Sequence, residues 1–402
     1  MTLRVAFPLL GGAIWTGGHS YMLNLFRVLT STASERVRPI MMVAAGTPAE
    51  TFAAFVGVKG LEIIEIPARL ANRRRARAQA ILLGRDRALE RWLGSQRIDG
   101  VFEATDFIGC RNRIPALVWM PDFQHRHLPA MFERRRLWGR ELLYQLQTRA
   151  GRTIMLSSEA SRRECEHFYP ASRGRTVVVR FCVPARPPGG TADVGRRYDL
   201  PPDFLYLPNQ FWKHKNHAVI LDALRLLREA GTPVHVVASG NPSDVRDPHY
   251  FPALQRRIAA LDLGDSWRFC GMIPYEDVLE LMRASVAVIN PSLVEGWSTT
   301  VEEAKSLGVP LVLSDLAVHR EQAVHDALFF DPHSAQSAAA ALTDALARFA
   351  TRPRGAARAV DPGVPERLRA FGAAFCDAVE LAVERAAAAR SPLAATRPVP
   401  PP

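Results

Sequence analysis

Short apolar, β-branched runs recur along the chain. Between them lie longer stretches in which apolar residues return every three or four positions. In the first half Leu3–Phe7, Pro39–Ala44, Leu61–Ile66, Val101–Glu103, Ala116–Met120, Thr153–Leu156 and Arg175–Phe181 read as strands. In the second half Phe204–Leu207, Val234–Ser239, Trp267–Cys270, Val286–Ile289 and Pro310–Leu313 read the same way. Helical spacing falls between them: Met22, Leu25, Phe26 and Leu29 share one face, and Arg73–Gln96, Met131–Arg149, His217–Leu227 and Tyr250–Ala260 carry similar patterns. Strands that alternate with helices predict α/β domains built on parallel sheets. A chain of 402 residues is long for one core and suits two such domains. The Pro- and Gly-rich stretch 184–194 is the expected linker between a domain at 1–183 and another at 195–362. Helices over 363–390 are expected to return to the first domain, and the Pro-rich end, 391–402, is expected to be disordered.

The stretch Val286–Asp315 concentrates the chemistry. An apolar strand leads into a loop broken by Pro291 and Gly296. Thr299 then reads as a helix N-cap, with Glu302 completing a capping box, and Gly308 and Pro310 mark the stop. A helix start in this position presents backbone N–H groups and a positive dipole end to an anion. Glu295 before the helix and Glu303 within it are unsuited to phosphate, because ionised carboxylates only accept hydrogen bonds. They suit hydroxyl groups. Diphosphate at the helix start with hydroxylated sugars on either side describes a nucleotide sugar.

Other loops add candidates. Lys213 and Lys215 precede the helix at His217, where two cations would repel the helix dipole unless an anion lay between them. Gly17 and Gly18 follow the first strand and precede a helix, where a backbone without side chains can approach a ligand; they do not form G-x-G-x-x-G. The strand at Ala116–Met120 runs into a Pro-bounded polar loop holding Asp122, His125 and His127, the kind of position where α/β folds place ligand contacts.

Charge and composition narrow the partners. The net charge is +11, with Arg73, Arg74, Arg75 and Arg77 in one cluster and Arg134, Arg135 and Arg136 in another, which points to an anionic partner. Met131–Arg149 is basic and amphipathic, so it could lie on an anionic membrane surface or pack as an ordinary helix. Five irregularly spaced cysteines form no C-x-x-C pair, which fits reduced thiols in a cytoplasmic setting. The apolar start lacks a basic flank and reads as a strand, and no run reaches the ~20 residues of a membrane span.

These residues carry a resemblance. Glu295 and Glu303, in Glu–x7–Glu followed by A-x-x-x-G, resemble the signature of the retaining glycosyltransferases of family 4, which share the GT-B fold: two Rossmann-like α/β domains facing each other across a cleft. The resemblance extends over about residues 3–385. It implies that Glu295 lies beside the donor sugar and Glu303 on the nucleotide ribose, and that Lys215 meets the donor diphosphate. A family arginine is replaced here by Gln210, so Lys213 would supply the second charge. It implies base contacts through the backbone at Gly271 and Ile273, and a site histidine at His125. The Gly17-Gly18 loop would face donor phosphate and acceptor, and His319, Arg320 and Glu321 are weaker candidates near the donor. The family's Gly–Phe–Gly is Gly296-Trp297-Ser298 in this chain. That leaves Ser298, with Thr299 and Thr300, as donors to the diphosphate.

The resemblance therefore predicts an acceptor-side first domain and a nucleotide-sugar-binding second domain. It predicts transfer of a sugar, with retention, to a hydroxyl of a glycan or lipid-linked acceptor, in polysaccharide biosynthesis at the cytoplasmic face of a membrane. No D-x-D occurs, so no metal and no cofactor is expected, the nucleotide sugar being a substrate. Two alternatives remain: a nucleotide-sugar epimerase or hydrolase on the same fold, and a non-enzymatic basic protein that binds nucleic acid or anionic lipid. The second would explain the charge but not paired glutamates about a helix start, and no nucleic-acid-binding motif is evident.

Overall fold

The structure, a computed structural model, describes residues 1–10, 16–71, 73–186, 194–323 and 326–390. The expected tail and most of the expected linker lie outside these residues. The chain divides into two compact units. One comprises Met1–Pro121, Trp138–Cys182 and Pro365–Pro402; the other comprises Asp122–Leu137 and Val183–Val364.

The first unit is built on strands β1 (Leu3–Pro8), β2 (Val37–Ala44), β3 (Glu62–Ile66), β4 (Gly100–Glu103), β5 (Ala116–Trp119), β6 (Thr153–Leu156) and β7 (Thr176–Val178). Their order is β3-β2-β1-β4-β5-β6-β7, and every pair is parallel. β4, β5 and β6 are buried at every residue, as expected where helices cover both faces of a parallel sheet. Phe7 of β1 packs edge-on to Phe26 at 5.1 Å and near-parallel to Phe375 at 5.9 Å. Phe375 belongs to the long helix Val364–Ala388, whose Phe371 and Phe375 are fully buried. Each such phenylalanine contributes up to about 3 kcal/mol of transfer free energy. Gly372 lets this helix approach closely, since a Cβ there would come within 2.9 Å of Val28 Cγ1. Arg36 fixes the helix in register through Asp377 at 2.6 Å and Glu380 at 2.7 Å.

The second unit repeats the plan with β8 (Leu205–Leu207), β9 (Val236–Ala238), β10 (Trp267–Phe269), β11 (Ala287–Asn290), β12 (Leu311–Ser314) and β13 (Ala327–Phe330). The order is β10-β9-β8-β11-β12-β13, again wholly parallel. Alternate residues feed two cores. Leu205, Leu207, Val236, Ala238, Ala287 and Ile289 join one, while Tyr206, Val237, Val288, Leu311 and Leu313 join the other. The strand order reverses between β8 and β11, so the loops that leave their carboxyl ends diverge. In open α/β sheets ligands bind at such a point.

The structure departs from the sequence reading in places. Arg73–Gln96 is broken into Arg73–Leu82 and Arg87–Ser95, the second capped by Asp86, which accepts from the amides of Ala88 and Leu89 at 3.0 Å. Gly17 and Gly18 do not precede the first helix but lie in its opening turn, within Thr16–Thr32. The strand β13 and the helix Ala335–Phe349 were not anticipated. No helix among the described residues is long and apolar enough to cross a membrane.

Candidate functional site

Pairing of β8 with β11 brings two loops together that are far apart in sequence. The first, 208–216, ends in a 3-10 turn, Lys213–Lys215, before the helix His217–Glu229. Asn216 takes the left-handed conformation there (φ 56°, ψ 39°), which asparagine tolerates, and its side-chain amide donates to the carbonyls of Pro291 (3.1 Å) and Pro332 (2.8 Å). The second loop, 291–298, leads into the helix Thr299–Ser306. Leu293 N–H donates to the carbonyl of His214 at 2.8 Å, which ties the two loops directly.

Their meeting point is an ion pair. Lys215 Nζ lies 2.5 Å from Glu295 Oε1, with side chains 14% and 9% exposed. Burial pushes the Glu295 carboxyl up, but the ammonium of Lys215 outweighs it and holds the group at about 2. His214 and His217 are pushed down to about 3, first by burial and then by Lys215, and burial also lowers His319. At neutral pH these three imidazoles are uncharged, so Lys215 alone among them balances Glu295. Ser292 Oγ lies 2.7 Å from both Glu295 Oε1 and Asn290 Oδ1. Asn290 Nδ2 donates to Ser298 Oγ at 2.7 Å, and Asn209 Nδ2 lies 3.3 Å from Asn290 Oδ1. The ion pair is thus wired to the helix start.

The cap of that helix differs from the expectation. Ser298, not Thr299, is the N-cap, and its Oγ accepts from Val301 N–H at 3.4 Å. Glu302 does not close a capping box. It is buried, and its carboxylate accepts from Lys305 (2.8 Å) and Gln322 (3.0 Å). Gln322 also receives Ser298 N–H at 3.0 Å and donates to Ser298 O at 2.7 Å. Val301 and Ser298 amides are therefore occupied, which leaves those of Thr299 and Thr300 as the first-turn donors for an incoming anion. Thr300 Oγ1 lies 3.4 Å from Asn209 Oδ1, so it also faces the first loop.

Glu303 forms a second centre on the same helix. It is 8% exposed, and Tyr275 O–H donates to its Oε1 at 2.6 Å. Burial raises its carboxyl to about 7, against the lowering effect of Tyr275 and of Arg186. Tyr275 opens its helix two residues beyond Ile273, and Gly271 lies just before, with its carbonyl accepting from Gly240 N–H at 3.0 Å. Gly240 itself admits no side chain, since a Cβ would fall 2.3 Å from Asn209 O. Gly271, Ile273, Tyr275 and Glu303 thus form a group beside the helix start, with the Ile273 side chain turned into the core.

The remaining candidates are placed as follows. Lys213 is exposed. Gln210 is a brace: its Oε1 accepts Asn241 N–H at 3.0 Å. Arg246, in the loop after β9, is bound to Asp244 at 2.9 Å, lies over the Trp212 ring at 5.0 Å and depresses His214. His125 is 1% exposed and lies in the second unit, and its neighbour Gln124 has Nε2 3.4 Å from His214 Nε2. His319 is buried, with Nδ1 2.8 Å from Ser314 O. Arg320 faces outward on Asp315, and Glu321 is half-buried. Gly17 (exposed) and Gly18 (buried) belong to the first unit, at the carboxyl end of β1. Sequence reasoning missed Tyr275, Gln322, Asn290 and Arg246. Only Tyr275 had a local signal, in the strand–Gly–loop–helix passage that precedes it.

The family model described as Glycosyl transferases group 1 matches residues 196–357. The chain is 28% identical over 106 residues to the O-antigen chain mannosyltransferase RfbU of Salmonella typhimurium strain LT2, covering 25% of this chain and 30% of that one. It is 27% identical over 183 residues to the D-inositol 3-phosphate glycosyltransferase of Streptomyces avermitilis, covering 43% of this chain and 39% of the relative. The chain thus spans well under half the length of these curated relatives. Among solved structures it is similar to Anabaena Alr3699/HepE in complex with UDP and glucose (TM-score 0.62, 14% identity, 98% of this chain and 99% of that one). It is also similar to the sucrose-phosphate synthase of Thermosynechococcus elongatus (TM-score 0.62, 14% identity, 98% and 100%). Identity at that level carries the fold alone, and the fold is GT-B.

Proposed function

We propose that the chain is a glycosyltransferase that takes its sugar from a nucleotide-sugar donor held in the second unit. The observation that carries this reading is the pairing of Lys215 with Glu295, linked through Ser292, Asn290 and Ser298 to a helix start whose Thr299 and Thr300 amides have no partner among the described residues, with Glu303 one turn further on. The glycosyl transferases group 1 match over 196–357 supports it. In this reading Lys215 and the two amides meet the donor diphosphate and stabilise the charge that develops as it leaves. Lys213 and Arg246 add positive charge at the edge. Glu303 accepts from the ribose hydroxyls, with Gly271 and Ile273 against the base and Tyr275 orienting the carboxylate. Glu295 accepts from hydroxyls of the sugar, and His125 sits near it. Ser298 positions the helix start through its cap.

Retention, membership of family 4 and independence of a metal follow from the resemblance and belong to the same proposal. An acceptor hydroxyl attacks the anomeric carbon on the face from which the diphosphate departs, and a leaving phosphate oxygen takes its proton. The acceptor is a glycan or lipid-linked hydroxyl. Trp138 and Leu142 stand exposed one turn apart, beside exposed Arg134, Arg135 and Arg136, and this face supports peripheral contact with an anionic membrane at the cytoplasmic side. Co-sedimentation with phosphatidylglycerol vesicles, reduced by Trp138→Ser and by salt, is the expected result. No recovery with the vesicles would remove the membrane from the account, and equal recovery with neutral vesicles would remove the role of anionic charge.

Thermal shift with a nucleotide panel tests the donor assignment. One nucleoside diphosphate is expected to stabilise the chain by about 2–3 kcal/mol at a hundredfold excess over its Kd. A response only to oligonucleotides, steeply salt-dependent, would favour the nucleic-acid-binding alternative instead.

A further inference from the structure

β12 lies beside β11 and parallel to it, so the helices that follow the two strands start at the same edge of the sheet. The helix Ala317–Gln322 thereby brings Gln322 against the start of the helix Thr299–Ser306. Gln322 is 0% exposed. Its Oε1 accepts from Ser298 N–H at 3.0 Å, and its Nε2 donates to Ser298 O at 2.7 Å and to Glu302 Oε1 at 3.0 Å. The amide oxygen and both amide hydrogens are engaged, a pattern that no apolar side chain and no ionised carboxylate can supply. Glu302 is itself fixed by Lys305 Nζ at 2.8 Å, and that ammonium lies 5.9 Å from the centre of the Trp297 ring.

These bonds act beyond the cap residue. Every described peptide group is trans, so N–H and C=O leave its plane edge in opposite directions. Ser298 N–H belongs to the plane that joins Trp297 to Ser298. Ser298 O belongs to the next plane, which carries the Thr299 N–H. Gln322 therefore holds two successive planes. By drawing Ser298 O towards itself, it turns the Thr299 N–H the other way. Glu302 N–H reaches the same carbonyl at 3.1 Å and agrees with that orientation. The helix start has a cap without Gln322, since Ser298 Oγ accepts from Val301 N–H and is held by Asn290. Burying a carboxamide costs free energy unless its polar atoms are met. Here two of its three bonds are spent on the backbone from which the open Thr299 and Thr300 amides begin.

We infer that Gln322 is a positioning residue of the donor site, which aims the first-turn amides at the diphosphate and acts on the phosphate end of the ligand alone. The inference rests on the donor reading given under Proposed function. Gln322 touches no substrate in this account; it works through the peptide planes on either side of Ser298.

The test compares uridine, guanosine, adenosine and cytidine 5′-diphosphates with the four bare nucleosides on the full chain, by calorimetry and saturation-transfer NMR. The quantity read is the ratio of nucleoside to diphosphate dissociation constants for the base that the wild type prefers. Gln322→Met, of similar size, is expected to weaken the diphosphate about tenfold and the nucleoside less than about twofold, because the nucleoside is held by Glu303 and the Gly271–Ile273 loop. Gln322→Asn keeps a buried carboxamide one methylene short, and carries the test if the methionine variant does not fold. It is expected to lower the same ratio about threefold. Losses of equal size for both ligands, or no loss for either, would overturn the role. If the wild type binds none of the diphosphates, the donor reading fails and takes the inference with it. If the wild type binds one and the ratio stays put in the variants, only the role of Gln322 fails.

Discussion

Lys215→Met is expected to lower kcat by about 10²–10³-fold, with KM for the nucleotide sugar changed only a few-fold, because the lost charge acts mainly on the departing diphosphate. The same substitution leaves the Glu295 carboxylate buried without its cation, which costs on the order of 3–5 kcal/mol of stability. Glu295→Gln alone should also destabilise the chain, whereas the double variant Lys215→Met/Glu295→Gln should recover most of the loss and none of the activity. The pH dependence separates these effects. In the wild type Glu295 is held below its unfolded value near 4.5, so its contribution is present above that pH and is lost as pH falls toward about 2. Without Lys215 burial dominates, the folded value rises above the unfolded one, and the variant gains stability relative to the wild type as pH falls. Urea unfolding of the four proteins at pH 4 and pH 7, with turnover at pH 7, reads all of this. Wild-type turnover in Lys215→Met would remove its assigned role.

Glu303→Gln is expected to weaken nucleoside diphosphate binding by about 10- to 100-fold, since it loses a charged acceptor for two ribose hydroxyls. The effect carries its own pH signature. Burial holds the Glu303 carboxyl at about 7 in the free protein, above its unfolded value near 4.5. The stability associated with the neutral form is therefore complete below pH 4.5 and is lost as pH rises through 7, by on the order of 3 kcal/mol. The ribose needs the ionised form. Affinity should rise with pH through 7 and flatten above it, and binding at pH 6.5 should release a proton. Calorimetry in two buffers of different ionisation enthalpy detects that proton. Glu303→Gln should show no proton release, a flatter affinity profile and a weaker fall in stability across the same range. Identical affinity and identical proton linkage in the variant would show that the carboxylate does not meet the ligand.

Both predictions concern groups whose local positions were readable in the sequence and whose partners were not. The strand–helix alternation was legible because each strand of a parallel sheet is a short, wholly buried run. Thus Thr153–Leu156 and Tyr250–Ala260 fall where the pattern put them. The helix Ala335–Phe349 was harder to read: its buried face is mostly alanine, with Ala338, Ala339, Ala341 and Ala345 beside only Leu342 and Phe349, and alanine contrasts too little with the polar face to mark a period. At the helix start, Ser298, Thr299 and Thr300 are all competent caps. Only the backbone geometry and the bond from Gln322 select Ser298. Lys215 and Glu295 were each singled out, but separately. Their ion pair depends on β8 lying beside β11, a strand order that no local pattern reveals.

The most direct test of the central claim is a structure of the chain with the nucleoside diphosphate that stabilises it most. Phosphate oxygens are expected within hydrogen-bond distance of Lys215 Nζ and of the Thr299 and Thr300 amides, with the ribose diol on Glu303. A nucleotide bound elsewhere, with Lys215 still closed on Glu295 and Glu303 touching only Tyr275, would contradict the account.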